Sequence, residues 1–305
     1  MNPRPLATTQ MMESQTRTST LVSKLRDYYI LTKPEVNLLI LMTTSAGYYM
    51  GGHGRLNWLG MIETVVGTLL VASGTATLNQ YMERKYDSDM KRTAGRPLPS
   101  GRVSATEALI FGLALSVVGG LYLWFAVNPL TSLLAVSTLL SYLLIYTPLK
   151  RKTPLCTLLG AFPGAMPTLI GWAGAAASLN LQAWFLFAVL FLWQFPHFLA
   201  IALMYREDYE RAGFRMLPRF DLDGHFTHAE IIGFTVLLLV TTFFPGFSLD
   251  HSLLYLVGMA ASGAFFLYYG VKLVQSSSRA SASHLLHASV IYLPVVLAVM
   301  MVFKR

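Results

Sequence analysis

Long apolar runs follow one another through most of this 305-residue chain, separated by short turns rich in Gly, Pro and Asn. About 20 apolar residues are the length that an α-helix needs to cross the hydrocarbon core of a bilayer. Only helices and closed barrels satisfy their backbone polar groups in lipid, and runs this long are helical. The pattern therefore predicts an all-α, polytopic integral membrane bundle of nine transmembrane helices, at residues 35–51, 57–80, 105–126, 129–148, 155–175, 181–203, 230–247, 252–274 and 285–303.

The composition excludes an ordinary soluble domain. The chain is 54% hydrophobic and only 12% charged, about half the charged share of a typical soluble protein. A net charge of +8 would favour a nucleic-acid ligand in a soluble protein, but the positions of the bases along the chain explain it better, so no nucleic-acid partner is predicted. The single cysteine, Cys156, excludes an intrachain disulfide and is predicted to be a small packing residue.

The basic residues are distributed unevenly about the predicted helices. With nine spans, only Arg55, Lys304 and Arg305 of the 23 Lys and Arg residues lie on the side opposite to the N-terminus. The positive-inside rule then predicts a cytoplasmic N-terminus and a C-terminus across a bacterial plasma membrane. Residues 1–28 are polar and lack the features of a signal peptide. They are predicted to form a disordered cytoplasmic tail before a single transmembrane domain at 29–305.

Residues 79–97 concentrate charge directly behind the second apolar run. An ionised side chain near the middle of a membrane helix costs ~2.5–3.5 kcal/mol on insertion scales, so charges at a helix end suggest a functional site. Asn79, Glu83 and Asp87 are spaced by four residues and therefore share one helix face. Oxygen-bearing side chains on one face, surrounded by Arg and Lys, suit a hard divalent cation and a bound polyphosphate.

A second charged segment, residues 205–218, follows the sixth predicted helix on the same membrane side. Asp208 is the acid predicted to act as the opposing metal ligand. The alternative is a solvated helix beside the membrane, held by pairs such as Glu207 with Arg211. Because both charged loops lie on one face of the membrane, we expect them to meet at one cavity.

This combination of features suits prenyl transfer. An allylic diphosphate becomes reactive when its diphosphate leaves, and Mg²⁺ with Arg and Lys stabilises the charge that develops on the leaving group. A helix bundle supplies an apolar tunnel for the isoprenoid chain and keeps water from the carbocation. The sequence contains none of the glycine-rich nucleotide loops, zinc motifs or CxxC pairs of other chemistries.

The spacing of Asn79, Glu83 and Asp87 resembles the first aspartate-rich motif of the UbiA-type intramembrane prenyltransferases. Over residues 28–303 the chain is most similar to the heme-farnesylating branch of that family. The matching stretches are Leu31-Thr-Lys33-Pro34, Asn79 to Pro97, Tyr146-Thr-Pro-Leu-Lys150-Arg151, Gly160-Ala-Phe-Pro-Gly164-Ala-Met-Pro167, Gly171-Trp172, Trp193-Gln-Phe-Pro-His197-Phe, Arg206-Glu-Asp208-Tyr209 and Met216-Leu-Pro218. The wider family has Asp where Glu83 stands, and a second DxxxD motif where this chain has Tyr205 and Tyr209.

The resemblance implies a nine-helix, Mg²⁺-dependent prenyltransferase that joins farnesyl diphosphate to the C2 vinyl group of heme B, with addition of water, to give heme O. The implied catalytic and metal-binding residues are Asn79, Glu83, Asp87 and Asp208. The implied substrate-binding residues are Lys33, Arg84, Lys91, Arg92, Arg96, Arg151, His197, Arg206, Tyr209 and Arg211. A heme A synthase or a terminal oxidase would be the partner that receives the product.

Several alternatives stay open at this point. His197 is either a heme ligand or a buried histidine paired with another polar group. The bases that either bind substrate anions or only fix the topology are Lys33, Lys150, Arg151 and Lys152. The fold could also serve another aromatic or tetrapyrrole acceptor. A transporter is the rival from a different class, but transporter acids usually lie near the bilayer midplane, whereas these lie at helix ends.

Overall fold

The computed structural model describes residues 21–52, 54, 56–244 and 252–304. Its helices are α1 at 21–31, α2 at Pro34–Gly51, α3 at Trp58–Asp87, α4 at Ala105–Tyr122, α5 at Pro129–Ser141, α6 at Cys156–Ala176, α7 at Leu181–Met204, the short α8 at Arg206–Arg211, α9 at His225–Phe243, α10 at Ser252–Ser276 and α11 at Arg279–Val302. A π turn at Leu123–Val127 extends α4. Another at Tyr142–Tyr146, followed by Thr147–Leu149, extends α5.

Each of the nine predicted spans overlaps a long helix of the described chain, which confirms the all-α prediction. Residues 245–247 of the seventh predicted span lie outside the described residues. Eight of these helices are long and apolar enough to cross a membrane. The ninth, α2, carries Glu35 and Asn37 in its first turns. The Asn37 amide is buried and donates hydrogen bonds to the Ser73 hydroxyl on α3 and to the Thr32 carbonyl, both at 2.9 Å. This polar group is thus satisfied inside the bundle.

The predicted disordered tail is wrong for its last residues, because residues 21–31 are helical. Two ion pairs join α1 to the start of α4 and the loop before it. Lys24 lies 2.6 Å from Glu107, and the Arg102 guanidinium lies 2.9 Å from Asp27. The charges that made this segment resemble a free tail therefore fix it to the bundle. Residues 1–20 of the predicted tail lie outside the described residues.

The helices α2 and α6 approach each other closely because small residues line their contact. A Cβ atom added at Gly171 would lie 1.9 Å from the Thr44 carbonyl oxygen, and one at Gly47 would lie 2.3 Å from that of Thr168. Small residues at such contacts let membrane helices pack backbone against backbone.

The largest buried cluster lies among α6, α7, α9, α10 and α11. Trp193 on α7 is fully enclosed there, and its indole N–H donates a hydrogen bond to the Ser289 carbonyl of α11 at 2.8 Å. On α10 and α11, Phe266 stacks on Tyr292 with ring centroids 4.8 Å apart. This apolar half of the bundle supports the charged ends of α3 and α5 and the short helix α8.

Candidate active site

The polar stripe predicted on α3 exists and is buried at the C-terminal end of that helix. Asn79, Glu83 and Asp87 expose 0%, 6% and 2% of their surface. Buried charges are stable in proteins only when they are paired or hydrogen-bonded. Each of these three side chains is accordingly bound by a base from another part of the chain.

Asn79 joins α3 to both the start of α2 and the end of α5. Its side-chain oxygen accepts a hydrogen bond from the Lys33 ammonium at 2.8 Å, and its amide donates to the Thr147 hydroxyl at 3.2 Å. Lys33 has a left-handed backbone (φ 51°) directly before Pro34. Such a conformation costs a non-glycine residue roughly 1–3 kcal/mol and is typical of functional sites. Burial and the neighbouring cations Arg96 and Lys150 lower the pKa of Lys33 to about 7.

Glu83 forms a buried ion pair with Lys150, which follows the last turn of α5. The Lys150 ammonium lies 2.9 Å from a Glu83 carboxylate oxygen and 4.6 Å from the centre of the Tyr146 ring. Burial is the largest single effect on the pKa of Lys150 and acts to lower it, but the Glu83 carboxylate together with Tyr146 and Tyr142 outweighs burial, and the net shift is upward. This direction favours the charged ammonium in the pair.

Asp87 ends α3 and organises the loop that follows it. The Arg96 guanidinium donates a hydrogen bond to its carboxylate at 2.8 Å, and the buried Thr93 hydroxyl donates to its backbone carbonyl at 2.8 Å. These contacts bring the predicted base Arg96 to the end of the acidic stripe.

Asp208 lies on α8 and is 9% exposed. Its carboxylate accepts hydrogen bonds from the Arg211 guanidinium at 3.1 Å and from the backbone N–H of Arg92 at 3.3 Å. Arg211 also contacts the Asp89 carbonyl at 3.4 Å. The two charged loops therefore touch, as their position on one membrane face predicted.

An apolar cluster holds the same two loops together. Met90 from the first loop packs against Ala212 and Phe214 from the second, and the three are almost fully buried. The backbone N–H of Arg215 also donates a hydrogen bond to the Lys150 carbonyl at 2.8 Å. The second loop is thus attached to both the α3 and the α5 sides of the site.

Among the described residues, no three His, Cys, Asp or Glu side chains form a group that could by themselves hold a metal ion. Glu83, Asp87 and Asp208 each face a base instead. The role of Asp208 as a metal ligand stays a prediction. Mg²⁺ is usually bound by one or two carboxylates together with substrate phosphates, not by an all-protein cage. The oxygen donors of α3 fit that mode of binding.

The other predicted site residues fall into two groups. Near the acids, the Arg92 guanidinium lies over the rings of Tyr205 and Tyr209, at 5.0 and 5.9 Å from their centres, and Arg151 lies 3.7 Å from that of Tyr86. Away from them, Arg84 bonds to the Tyr81 carbonyl of its own helix, Arg206 pairs with Glu210 at 3.0 Å, and Lys91 is exposed.

His197 lies on α7, where it contacts α11. Its Nδ1 is 2.7 Å from the Ser289 hydroxyl, and its ring stacks on Trp193 with centroids 4.5 Å apart. This pairing with a side chain is the arrangement expected of a buried histidine. The role as a heme ligand stays a prediction.

Two residues of the site were missed among the predicted substrate-binding set. The role of Lys150 was left open between binding substrate anions and fixing the topology, and Thr147 was given no role. Both lie in the stretch 146–151, which begins with a Tyr, contains a Pro and ends in Lys-Arg directly after an apolar run. Their partners on α3 are 67 and 68 positions earlier in the chain, so only tertiary structure brings them together.

Residues 40–293 match the model of the UbiA prenyltransferase family. The chain belongs to this family. Among curated relatives, a protoheme IX farnesyltransferase of Solibacter usitatus is 47% identical over 286 residues, which cover 91% of this chain and 98% of the relative. One of Koribacter versatilis is 40% identical over 290 residues, covering 92% and 93%.

Solved structures share the UbiA fold with this chain at low identity. A digeranylgeranylglyceryl phosphate synthase superposes with a TM-score of 0.75 at 19% identity, covering 92% of this chain and 99% of its own. A UbiA homolog from Archaeoglobus fulgidus bound to GPP and Mg²⁺ has a TM-score of 0.62 at 13% identity, covering 90% and 99%. The family and the apolar helices identify the chain as an integral membrane prenyltransferase.

Proposed function

We propose that this protein transfers the farnesyl group of farnesyl diphosphate to the C2 vinyl group of heme B, with addition of water, and so makes heme O. The observation that carries the proposal is the similarity to curated protoheme IX farnesyltransferases, at 36–47% identity over about nine-tenths of the chain. The buried charged site at the inner end of α3 supports it, because it has the groups that prenyl transfer requires.

The charges of the site support binding of a diphosphate. The carboxylates of Glu83, Asp87 and Asp208 are paired with Lys150, Arg96 and Arg211. Two further bases lie beside them, since the Lys33 ammonium binds the Asn79 side-chain oxygen and the backbone N–H of Arg92 binds Asp208. A diphosphate supplies the negative charge that this set lacks. Charge-assisted hydrogen bonds to phosphate oxygens are about twice as strong as neutral ones. The bases would hold the leaving group in place and stabilise the charge that develops on it.

The proposed ligands of Mg²⁺ are Asn79, Glu83 and Asp87, with Asp208 from the opposing loop. Their donors are hard oxygens, which Mg²⁺ prefers. Mg²⁺ bound there would act as a Lewis acid on the leaving diphosphate. In the structure these oxygens are bound by Lys33, Lys150 and Arg96. With Mg²⁺ in place, the three bases would instead bind the phosphate oxygens.

Aromatic rings beside Lys150 supply the surroundings that a carbocation needs. Tyr142 and Tyr146 pack edge to face with centroids 4.9 Å apart, and both lie within 6.0 Å of the Lys150 ammonium. Ring faces attract cations, and enclosed apolar walls keep water away until the acceptor attacks. The π turn at Tyr142–Tyr146 places these residues beside the acidic stripe.

The proposed location is a bacterial plasma membrane, with the site at the cytoplasmic face. The basic loops around α3 and α8 support this orientation through the positive-inside rule. The acids lie at a helix end and not at the midplane, which favours an enzyme over a transporter. A heme A synthase or a terminal oxidase as recipient of heme O stays a prediction.

The test is an assay of membranes that contain the protein, supplied with farnesyl diphosphate, Mg²⁺ and either heme B or 4-hydroxybenzoate. We expect a farnesylated, hydrated heme, detected by mass, and no prenylated benzoate. Asp87→Ala should abolish the product while folded protein remains in the membrane. Prenylation of 4-hydroxybenzoate alone would show that the proposed acceptor is wrong.

A further inference from the structure

A polar cavity lies at the opposite end of the bundle from the candidate active site. It has a volume of about 490 Å³ and is lined by the ends of α2, α4 and α6, the start of α3 and Lys304. Glu63, on its wall, precedes Glu83 by 20 positions on α3, which corresponds to ~30 Å along a helix at 1.5 Å per residue. That is about the thickness of the hydrocarbon core, so the cavity lies at the other membrane face.

Among the described residues that line the cavity, one is an acid and one is a base, and these two do not bind each other. Glu63 is partly buried and has no hydrogen bond or ion pair within the part of the chain that the structure describes. Lys304 instead donates hydrogen bonds to the backbone carbonyls of Tyr49 and Gly52. An ammonium group has three donors, so one remains available to a ligand. A partly buried carboxylate that accepts no hydrogen bond costs the fold free energy. A ligand that donates a hydrogen bond to Glu63 would therefore bind favourably.

The surroundings indicate where such a ligand comes from. Trp58, Leu59 and Ile62, on the first turns of α3 beside the cavity, are more than half exposed. An exposed tryptophan at a helix end is typical of the membrane interface, and these apolar side chains offer a surface to acyl chains. The cavity therefore combines an acidic and a basic wall with a lipid-facing apolar edge.

We propose that this cavity binds the zwitterionic headgroup of a phospholipid with a primary amine, the ammonium at Glu63 and the phosphate at Lys304. A quaternary ammonium cannot donate a hydrogen bond to Glu63, and an anionic headgroup without an amine leaves Glu63 unpaired. The site thus selects an ethanolamine phosphate over a choline or glycerol phosphate. This inference does not depend on the farnesyl transfer proposed above.

The first test is native mass spectrometry of the full-length protein, released from micelles that contain equal amounts of phosphatidylethanolamine, phosphatidylcholine and phosphatidylglycerol with the same acyl chains. We expect wild type to retain phosphatidylethanolamine preferentially. Glu63→Gln should lower that retention about tenfold, the effect of one lost charged hydrogen bond, and leave phosphatidylglycerol unchanged. Asp223→Asn, at an exposed acid on the other face, is the matched control.

A second variant fills the cavity without touching Glu63. Gly52 has an ordinary φ of −74°, and a Cβ atom there would meet nothing closer than 3.5 Å. Gly52→Leu should therefore fold and abolish the preference for phosphatidylethanolamine. Gly233→Leu, where an added Cβ would meet nothing within 4 Å, is its control. Gel filtration of each variant reports folding.

Equal retention of the three lipids by wild type, or an unchanged preference in both Glu63→Gln and Gly52→Leu, would overturn the proposal. In a parallel measurement, soluble glycerophosphoethanolamine is added to the micelles. This distinguishes a site for the membrane lipid from a site for the free headgroup. We expect the soluble compound to compete only at much higher concentration than the lipid. Competition at equal concentration would assign the cavity to a soluble ligand and contradict the lipid site.

Discussion

At the scale of single residues, the site is a set of buried acid–base pairs, and the pairs explain why an acidic stripe is stable inside the bundle. Removing one member of a buried ion pair costs about 3–5 kcal/mol, because the other charge is left without compensation. The spacing of Asn79, Glu83 and Asp87 predicted that they share one face of α3, and all three side chains are buried. The identity of their partners depends on long-range contacts, which spacing does not report.

The pair of Glu83 and Lys150 gives a prediction about stability. Lys150→Met should lower the free energy of unfolding, since the Glu83 carboxylate then stays buried and unpaired. The double variant Lys150→Met with Glu83→Gln should recover most of the loss. Thermal unfolding in detergent measures both. If the double variant is no more stable than the single one, the pair is not the source of the effect.

Glu83 also gives a prediction about activity. Glu83→Gln removes a proposed metal ligand and should lower kcat for farnesyl transfer by at least about 100-fold at saturating Mg²⁺, the order expected when a group that stabilises the leaving charge is lost. Glu207→Gln, at an exposed acid near the same face, should keep nearly full activity. Equal rates for the two variants would contradict the role of Glu83.

At the scale of helices, hydrophobic runs predicted the elements well, since length and apolarity decide what spans a bilayer. Residues 21–28 were predicted wrongly, because their polarity resembles that of a free tail. Their ion pairs with Glu107 and Arg102, and the packing of Tyr28 against Phe111, show that this segment is bound to the bundle. The π turn at Tyr142–Tyr146 likewise has no signal in the apolar pattern, yet it shapes the site.

The contact of α2 with α6 gives a prediction about packing. Gly171→Ala should separate these helices, because the added methyl group would lie 1.9 Å from the Thr44 carbonyl oxygen. Overpacking of this kind typically costs about 1–3 kcal/mol. The midpoint of thermal unfolding should fall for Gly171→Ala and stay unchanged for Gly233→Ala, which has open space. A similar midpoint for both variants would argue against the close contact.

At the scale of the whole molecule, the chain places its reactive charges at one membrane face and the Glu63 cavity at the other. The helix α3 connects them, because its 30 residues span ~45 Å at 1.5 Å per residue. The distribution of bases predicted which face is cytoplasmic. The existence of the Glu63 cavity had no counterpart in the sequence, since the ends of α2, α4 and α6 meet there only in the folded bundle.

The orientation gives a prediction about accessibility. In a Cys156→Ser background, a single cysteine introduced as Leu181→Cys or as Asp223→Cys is tested in intact spheroplasts with a membrane-impermeant maleimide. Both positions are exposed, at the start of α7 and before α9. We expect labelling of Leu181→Cys only, and labelling of Asp223→Cys after lysis. The reverse pattern would invert the proposed topology.

The contacts of Lys304 with the Tyr49 and Gly52 carbonyls have a consequence for how bulky molecules enter the bundle. They join the end of α11 to the end of α2 and so close the gap between the first and last spans at the end of the bundle opposite to the acidic stripe. A rigid macrocycle passing sideways through that gap would have to break both hydrogen bonds. Admission between other helices, or from the end that carries the acidic stripe, carries no such penalty.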